Sequence, residues 1–228
     1  MIENNFYYDQ SCLNTANFTS ATYSMGPGKR AALWVMGCPF RCPSCYSPGW
    51  IPQVKAHLIE PGTLTHLLTS DSDLVGLTIS GGEPLLQSTN LIQLINLVRQ
   101  GRPEFNFILY TGFRYDTIIR LPLTDPRRIL VGGVDVVIDG RFVESLNDNK
   151  GLRGSSNQRI IHITDRLKEF DFETSPRKTE IHIQDGEVHF VGVPDRHASR
   201  IPDEMEHFYV RAQDRYCNDQ PGRISPAL

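Results

Sequence analysis

The stretch that decides the fold is GCPFRCPSCY, residues 37–46. It holds three of the five cysteines, Cys38, Cys42 and Cys45, in the spacing C-x3-C-x2-C. Closely spaced thiolates bind soft metals, and iron–sulfur clusters are held by cysteine sulfur. An electron-transfer [4Fe–4S] cluster takes four cysteines, so three would leave one iron open, as catalytic metal sites leave a position open for substrate. The spacing therefore predicts a [4Fe–4S] cluster with one accessible iron.

A structural zinc site is the alternative interpretation of these cysteines. It would need a distant fourth ligand, for which Cys12, Cys217 and His57 are the candidates. Structural zinc sites usually combine two closely spaced pairs of ligands, and the sequence contains no second pair. A disulfide framework is disfavoured because the cysteine count is odd and no export signal precedes them. The cluster is therefore favoured, and the roles of Cys12 and Cys217 stay open.

Composition narrows the class of protein. Hydrophobic residues make up 39% and charged residues 21% of the 228 residues, which is typical of a soluble globular protein. The net charge of −3 provides no basic field for nucleic acid or anionic lipid. No run reaches the roughly 20 apolar residues of a membrane helix, and no signal peptide is evident. We expect a cytoplasmic protein of one large domain, or one domain with an appendage, without nucleic-acid or membrane partners.

Apolar runs alternate with helical periodicity along most of the chain. Strands are predicted at residues 31–36, 74–80, 105–110 and 134–138. Helices are predicted at residues 60–69 and 88–101, with a further short helix around residues 115–120. Ser88 or Thr89 would cap the second helix, and Gly101 would end it in the C′ position. The order predicts βαβ units around a parallel sheet, whose candidate site loops follow the carboxyl ends of strands.

The C-terminal part of the chain contains a hairpin signal. Residues 179–183 and 187–191 alternate apolar and polar side chains on either side of Asp185-Gly186, a pair typical of tight turns. An isolated hairpin is marginally stable in water, so the apolar face with Ile181 and Phe190 must pack against something. We expect it to cover the open edge of the core, with docking of a partner protein as the alternative. Residues 1–24 and 194–228 support no structural prediction.

Four stretches together resemble a known family. The cysteine trio followed by the aromatic Tyr46 resembles the signature of the radical S-adenosylmethionine (SAM) enzymes. The other matching stretches are residues 26–30 (GPGKR), 78–85 (TISGGEPL), and 137–143 (VIDGRFV) with 154–158 (GSSNQ). In this order they resemble the activating enzymes of glycyl-radical proteins, and most closely the anaerobic ribonucleotide reductase activase family. Members of that family typically end soon after the GSSNQ region, whereas this chain continues, as extended single-cluster radical SAM proteins do.

The resemblance implies a fold, an activity and partners. The fold would be a partial, open β/α barrel of the radical SAM type, with residues 1–165 as the core and residues 166–228 as an extension carrying the hairpin. A [4Fe–4S] cluster would cleave SAM to a 5′-deoxyadenosyl radical, which would take a hydrogen atom from a glycine of a partner enzyme such as anaerobic ribonucleotide reductase. A flavodoxin- or ferredoxin-type protein would supply the electron.

The resemblance also implies roles for individual residues. Cys38, Cys42 and Cys45 would ligate the cluster and leave one iron to SAM. Tyr46 would lie against the adenine ring, and Glu83 would accept a hydrogen bond from the amino group of SAM. The predicted SAM contacts are Tyr46, Gly81, Gly82, Glu83, Thr111, Gly112, Asp139 and Arg141. Packing of Tyr46 and a simple turn at Asp139-Gly140 are the corresponding structural alternatives.

Two other functions remain open at this stage. A radical SAM enzyme could modify a peptide or a small molecule instead of a partner enzyme. A non-catalytic iron–sulfur protein is the alternative from a different class, but an electron carrier would want a fourth cysteine near the trio. Such a carrier would also have no use for Gly81-Gly82-Glu83. Formation of 5′-deoxyadenosine from SAM separates an enzyme from a carrier.

Overall fold

The computed structural model describes residues 11–184 and 187–194. At its centre is a seven-stranded sheet in the order β3-β1-β2-β4-β5-β6-β7. The strands are β1 Leu13–Thr22, β2 Arg30–Val35, β3 His57–Ile59, β4 Gly76–Gly81, β5 Asn106–Thr111, β6 Val136–Asp139 and β7 Arg159–His162. Strands β2, β4, β5 and β6 pair in parallel, and β1, β3 and β7 pair antiparallel at the two sides. The predicted α/β class and the four predicted strands are confirmed.

Helices connect the parallel strands, as the sequence predicts for βαβ units. The α-helices are α1 Pro61–Ser70, α2 Ser88–Gly101, α3 Tyr115–Ile118 and α4 Pro126–Gly133, and 3-10 turns span Pro48–Trp50, Pro84–Gln87 and Glu144–Leu146. Among the residues that the structure describes, no helix is long and apolar enough to cross a membrane.

Both faces of the sheet are covered, because alternate strand residues point to opposite sides. On one face Leu33, Ile79 and Leu109 pack with the buried sides of the helices in the main core. On the other face Ala32 and Trp34 of β2 pack with Met25 and Val191, while neighbouring strands contribute to a second cluster. That second cluster consists of Ile108, Val136, Ile138, Leu152, Leu167, Phe172 and Val193. The layer opposite the helices is therefore built largely from the C-terminal part of the chain.

The turn before β2 places a buried arginine at the amino ends of the parallel strands. Arg30 is fully buried, and its Nε donates to Thr78 Oγ1 at 2.8 Å. Its other nitrogens donate to Asn106 Oδ1 at 3.0 Å and to the carbonyl of Pro27 at 3.0 Å. Burial lowers the pKa of this guanidinium to about 9. The GPGKR stretch thus joins the amino ends of β2, β4 and β5.

Both predicted caps of α2 are wrong. A 3-10 turn precedes the helix, so Ser88 is its first residue and donates its hydroxyl to the Leu85 carbonyl at 2.8 Å instead of capping. Gly101 is the last helical residue, and the amide of Arg102 bonds to the Val98 carbonyl. Gly101 therefore does not occupy the C′ position that its residue type predicts.

Strands β1, β3 and β7 and helix α4 have no counterpart in the sequence prediction. Strand β1 pairs with β2 through two register irregularities, so its sequence shows no regular alternation. The short strand β3 pairs with β1. Helix α4 begins at Pro126, where the Asp125 side chain accepts from the Arg127 amide at 2.9 Å. An aspartate followed by proline is a recognised helix start. Helix α4 was nevertheless missed because its apolar segment is too short to show helical periodicity.

The predicted hairpin is confirmed, but its packing differs from the prediction. Strands β8 Thr179–Gln184 and β9 Glu187–Gly192 are antiparallel, and the Asp185-Gly186 turn lies outside the described residues. Val191 is buried against Met25 and Trp34, whereas Ile181 is 62% exposed and pairs with Phe190 on the opposite face of the hairpin. The hairpin therefore covers a face of the sheet, not an open edge, and the expected apolar side does not make this contact.

The open mixed sheet and the separate hairpin are the parts of the predicted architecture that the strand order supports. A partial β/α barrel is a finer description and stays a prediction, as does the domain boundary at residue 165. Leu167, Phe172, Val191 and Val193 are buried in the same clusters as strand residues. The extension thus packs directly on the core.

Candidate active site

The cysteine loop leaves the carboxyl end of β2 and folds back on itself. The Cys38 amide donates to the Ile51 carbonyl at 3.0 Å, and the Cys45 amide donates to the Cys42 carbonyl at 3.3 Å. All three cysteines are free and partly exposed. A cavity of about 640 Å³ adjoins Cys38 and Cys42 and is lined in part by Pro39, Arg41 and Pro52. The loop thus presents three thiols next to open space.

The thiols of Cys38 and Cys45 are protonated until a metal binds. Burial raises the pKa of Cys38 to about 11, with further increases from Glu83, Cys45 and Cys42, and burial also raises the pKa of Cys45. Metal binding to such thiols displaces their protons. Within residues 11–184 and 187–194, no three His, Cys, Asp or Glu side chains converge enough to hold one metal ion. Each cysteine of an iron–sulfur cluster ligates a different iron, so such a cluster does not need three side chains that converge on one ion.

Gly81 and Gly82 bring the end of β4 against the cysteine loop. A Cβ on Gly82 would lie 2.2 Å from the carbonyl oxygen of Gly37 and 2.9 Å from that of Trp50. Gly81 has a φ of +106°, and a Cβ there would meet the backbone of Val35 at 2.3 Å. Both positions therefore require glycine, because three backbone segments meet without room for a side chain. This contact sets the distance between the cysteines and the segment predicted to bind SAM.

Glu83 joins the ends of β4 and β5. Its side chain is 1% exposed. One carboxylate oxygen accepts from the Leu85 amide at 2.9 Å and from Thr111 Oγ1 at 2.8 Å, and the other accepts from the Gly112 amide at 2.8 Å. Burial raises the pKa of Glu83 to about 7, although these three hydrogen bonds favour the carboxylate. A carboxylate offers about four acceptor positions, so one remains for a ligand.

A second cavity, of about 370 Å³, opens beside Gly112. It is lined by Phe40, Gly112, Phe113, Arg114, Thr117 and Arg141. The Arg141 guanidinium lies 4.3 Å from the centre of the Phe40 ring, and the Phe40 and Phe113 rings are 4.7 Å apart edge to face. A Cβ on Gly112 would come within 2.6 Å of the Phe40 ring. Glycine here lets the loop between the cysteine ligands pack over the end of β5.

Tyr46 follows the last cysteine and is anchored by its hydroxyl group. Its oxygen accepts from Asn147 Nδ2 at 2.6 Å, and its ring lies 4.5 Å from that of Phe142. The side chain remains 36% exposed, so one side of the ring is available to a ligand. The arrangement agrees with either role predicted for Tyr46, adenine contact or packing.

Asp139 is engaged by protein groups. Its carboxylate pairs with Arg159 at 2.5 Å and 3.0 Å and accepts from the Tyr115 amide at 2.6 Å, and Arg114 lies 3.5 Å away. Burial raises its pKa, but the hydrogen bonds from Arg159 and Tyr115 outweigh that effect and hold the pKa below its usual value. Contact between Asp139 and SAM stays a prediction, and these bonds give the residue a structural role of its own.

The predicted site residues therefore gather at one end of the sheet. Direct contacts link Gly82 to the cysteine loop, Glu83 to Thr111 and Gly112, and Phe40 to Arg141. The sequence reasoning missed Arg114, which lines the cavity, and Asn147, which holds Tyr46. Arg114 follows the predicted third strand closely and could have been found by position, but nothing in the local sequence marks Asn147.

Comparison with protein families and curated proteins agrees with this geometry. A family model described as "4Fe-4S single cluster domain" matches residues 24–161. The chain is 33% identical over 150 residues to the anaerobic ribonucleoside-triphosphate reductase-activating protein of Enterobacteria phage T4, covering 64% of this chain and 92% of that protein. It is 31% identical over 147 residues to the protein of the same name from Escherichia coli K12, covering 60% of this chain and 91% of that protein.

A more distant match involves another activating enzyme. The chain is 33% identical over 79 residues to the pyruvate formate-lyase-activating enzyme of Listeria monocytogenes, covering 32% of each protein. The family model ends at residue 161, before the segment that contains β8 and β9. The similarity to known proteins is thus concentrated in the sheet and its site loops.

Proposed function

This chain belongs to the 4Fe-4S single cluster domain family, and on that premise we propose that it is a radical SAM enzyme that generates a glycyl radical on a partner enzyme. Its relatives are named as activators of anaerobic ribonucleoside-triphosphate reductase, so an enzyme of that kind is the proposed partner. A flavodoxin- or ferredoxin-type protein is the proposed electron donor. We also propose that the sheet is of the open β/α barrel type.

The observation that carries the proposal is the contact between two separate motifs. The amide of Glu83 donates to the Gly37 carbonyl at 2.8 Å, directly before Cys38. The same glutamate binds Thr111 and Gly112 through its carboxylate. The three thiols and the Glu83 carboxylate, with its partners Thr111 and Gly112, thus lie at the same end of the sheet. An electron carrier needs only the thiols, whereas an enzyme that positions SAM needs both groups.

Each predicted residue has a definite task in this proposal. Cys38, Cys42 and Cys45 hold the cluster as thiolates and leave one iron for SAM. When bound, the reduced cluster supplies one-electron cleavage of SAM to methionine and a 5′-deoxyadenosyl radical, which takes a hydrogen atom from glycine. Glu83, with Gly81 and Gly82, faces the amino group of SAM.

The remaining predicted contacts complete the proposed SAM site. Tyr46 flanks the adenine, and Thr111 and Gly112 face the ribose or the methionine. Arg141 and Asp139 take polar groups of the ligand. The apolar rings of Phe40 and Phe113 help to keep water out of the cavity next to Gly112.

The test is anaerobic reconstitution followed by assay of the products. Protein with iron and sulfide, given SAM and dithionite, should release 5′-deoxyadenosine and methionine. Addition of an anaerobic ribonucleotide reductase should give an electron paramagnetic resonance signal of a glycyl radical on that enzyme. Cluster-loaded protein that never cleaves SAM would refute the enzyme function and favour an electron carrier. SAM cleavage without radical transfer to any glycyl-radical enzyme would favour a peptide or small-molecule substrate.

A further inference from the structure

Arg177, a residue of the C-terminal extension, is connected to Tyr46 by a side-chain hydrogen bond and also through a buried amide. Nη1 of Arg177 donates to Asn147 Oδ1 at 2.9 Å, and Nδ2 of Asn147 donates to the Tyr46 hydroxyl oxygen at 2.6 Å. Arg177 lies beyond residue 161, where the family model ends. A group outside the matched domain therefore reaches the side chain that follows the last cysteine.

The direction of these hydrogen bonds is fixed by chemistry. A guanidinium has only donors, so the oxygen of the Asn147 amide must face Arg177. The amide of Asn149 also donates to that oxygen, at 3.0 Å. The nitrogen of the Asn147 side chain must then face Tyr46, whose oxygen is the acceptor. Asn147 is 1% exposed, so water cannot replace a lost partner and each broken bond leaves a buried polar group.

Arg177 is itself held at the base of the hairpin. It precedes β8, and its Nη1 also donates to the carbonyl of Pro194, after β9, at 2.8 Å. Nη2 donates to the carbonyls of Arg153 and Gly154. The hairpin root is fixed in turn because Ser24 Oγ donates to the Val191 carbonyl at 2.8 Å. The position of Arg177 therefore depends on the docked hairpin.

We propose that Arg177 is a positioning residue for the SAM site: it orients Asn147, which holds the Tyr46 ring in place for the adenine of SAM. The inference rests on the proposed function, since it assigns a purpose to the orientation of Tyr46. It extends that function by making the C-terminal extension part of the cofactor site. The affinity of this chain for SAM then depends in part on a residue outside the matched domain of residues 24–161.

The first test measures the dissociation constant of SAM on cluster-loaded protein by equilibrium dialysis. Arg177→Met, Asn147→Leu and Tyr46→Phe should each raise it about two- to tenfold, the effect of one lost hydrogen bond. Arg177→Met added to Tyr46→Phe should raise it no further, because the phenol oxygen through which Arg177 acts is already absent. Additive losses in the double variant would overturn the proposal.

Arg166→Met is the matched control. Arg166 is also an arginine of the extension, but it pairs with Asp135 at the opposite end of β6, at 3.4 Å. Its replacement should leave SAM affinity unchanged. An equal loss in Arg166→Met would show that any disturbance of the extension weakens binding, which overturns a specific role for Arg177. The Tyr46→Phe variant retains the partly exposed ring, and the protein stays folded. Unchanged SAM affinity in this variant therefore overturns the proposal, even where Arg177→Met is unstable.

A second readout does not depend on SAM. In protein labelled with 3-fluorotyrosine, the fluorine resonance that disappears in Tyr46→Phe identifies residue 46. Arg177→Met should move that resonance in the absence of SAM, and Arg166→Met should not. A resonance unmoved by Arg177→Met would overturn the proposal. If the wild-type, cluster-loaded protein does not bind SAM, the proposed function fails and this inference fails with it. If the wild type binds SAM but the variants do not behave as expected, only this inference fails.

Discussion

Replacing Gly82 by alanine tests the contact between the cysteine loop and the end of β4. The added Cβ would lie 2.2 Å from the Gly37 carbonyl oxygen, whereas ordinary contacts begin near 3.4 Å. The obstacle is backbone on both sides, so no side chain can rotate away. The two segments must therefore separate by about 1 Å, well beyond what close-packed interiors tolerate without cost.

The separation breaks hydrogen bonds whose value can be estimated. The Gly82 amide donates to the Val35 carbonyl at 2.7 Å, and the Glu83 amide donates to the Gly37 carbonyl at 2.8 Å. At about 0.5–1.5 kcal/mol each, their loss lowers the free energy of unfolding by about 1–3 kcal/mol. That is a large part of the roughly 5–15 kcal/mol of a typical domain. Because Gly37 precedes Cys38, the cluster content should fall as well.

The assay is anaerobic guanidinium unfolding followed by circular dichroism, with iron measured per chain. Gly62→Ala is the matched control, because Gly62 lies in α1 with no atom within 4 Å of the new Cβ. Alanine there should stabilise the protein by up to about 0.5–1 kcal/mol, since it favours the helix. If Gly82→Ala unfolds at the wild-type midpoint and retains all its iron, the argued close contact does not exist.

Three further predictions follow from other contacts. Alanine at Cys38, Cys42 or Cys45 should abolish the cluster, because each supplies one of the three proposed thiolate ligands, while Cys12→Ala should keep it, because Cys12 is not one of them. Iron analysis decides, and loss of iron in Cys12→Ala would contradict the ligand set. The pKa of Glu83 is raised from 4.5 to about 7, so the stability of wild type relative to Glu83→Gln should be full below about pH 4.5 and fall by about 3 kcal/mol as pH rises through 7. A pH-independent difference in unfolding free energy would argue against a buried, titrating carboxyl group. Truncation after Thr164 removes Leu167, Phe172, Val191 and Val193 from the core, at about 1.5–3 kcal/mol each, and should yield insoluble or unfolded protein; a soluble product with cooperative unfolding would show that the extension is dispensable.

The four parallel strands and the loops that follow them could be predicted because their causes are local. Strand β2 is apolar throughout because both of its faces are covered, and this composition is visible without any structure. Gly81 and Gly82 could be singled out because a backbone approach that excludes a Cβ leaves a direct mark on the sequence. The parts of the site that could be predicted are those in which one residue type has one physical reason.

Features that depend on distant partners could not be predicted. Strand β1 stays hidden because two register irregularities remove its alternation. The hairpin was recognisable, but which face packs depends on where Met25 and Trp34 lie, and Val191 contacts them instead of Ile181. Asn147 has no local signal, since its role arises only when the fold places it between Tyr46 and Arg177.

Glu83 combines a predicted cofactor contact with a structural role at the ends of β4 and β5. Three of its roughly four acceptor positions are taken by Leu85, Thr111 and Gly112, so only one is left for an amino group. Glu83→Ala would therefore leave Thr111 and Gly112 without their partner in addition to removing a ligand contact. Weaker SAM binding in that variant would not by itself prove a direct contact. Glu83→Gln keeps the shape and one acceptor oxygen, but its NH2 group then faces a backbone donor at either Leu85 or Gly112. Loss of SAM affinity in Glu83→Gln, while its circular dichroism spectrum and iron content stay at the wild-type values, would identify the carboxylate as the binding element.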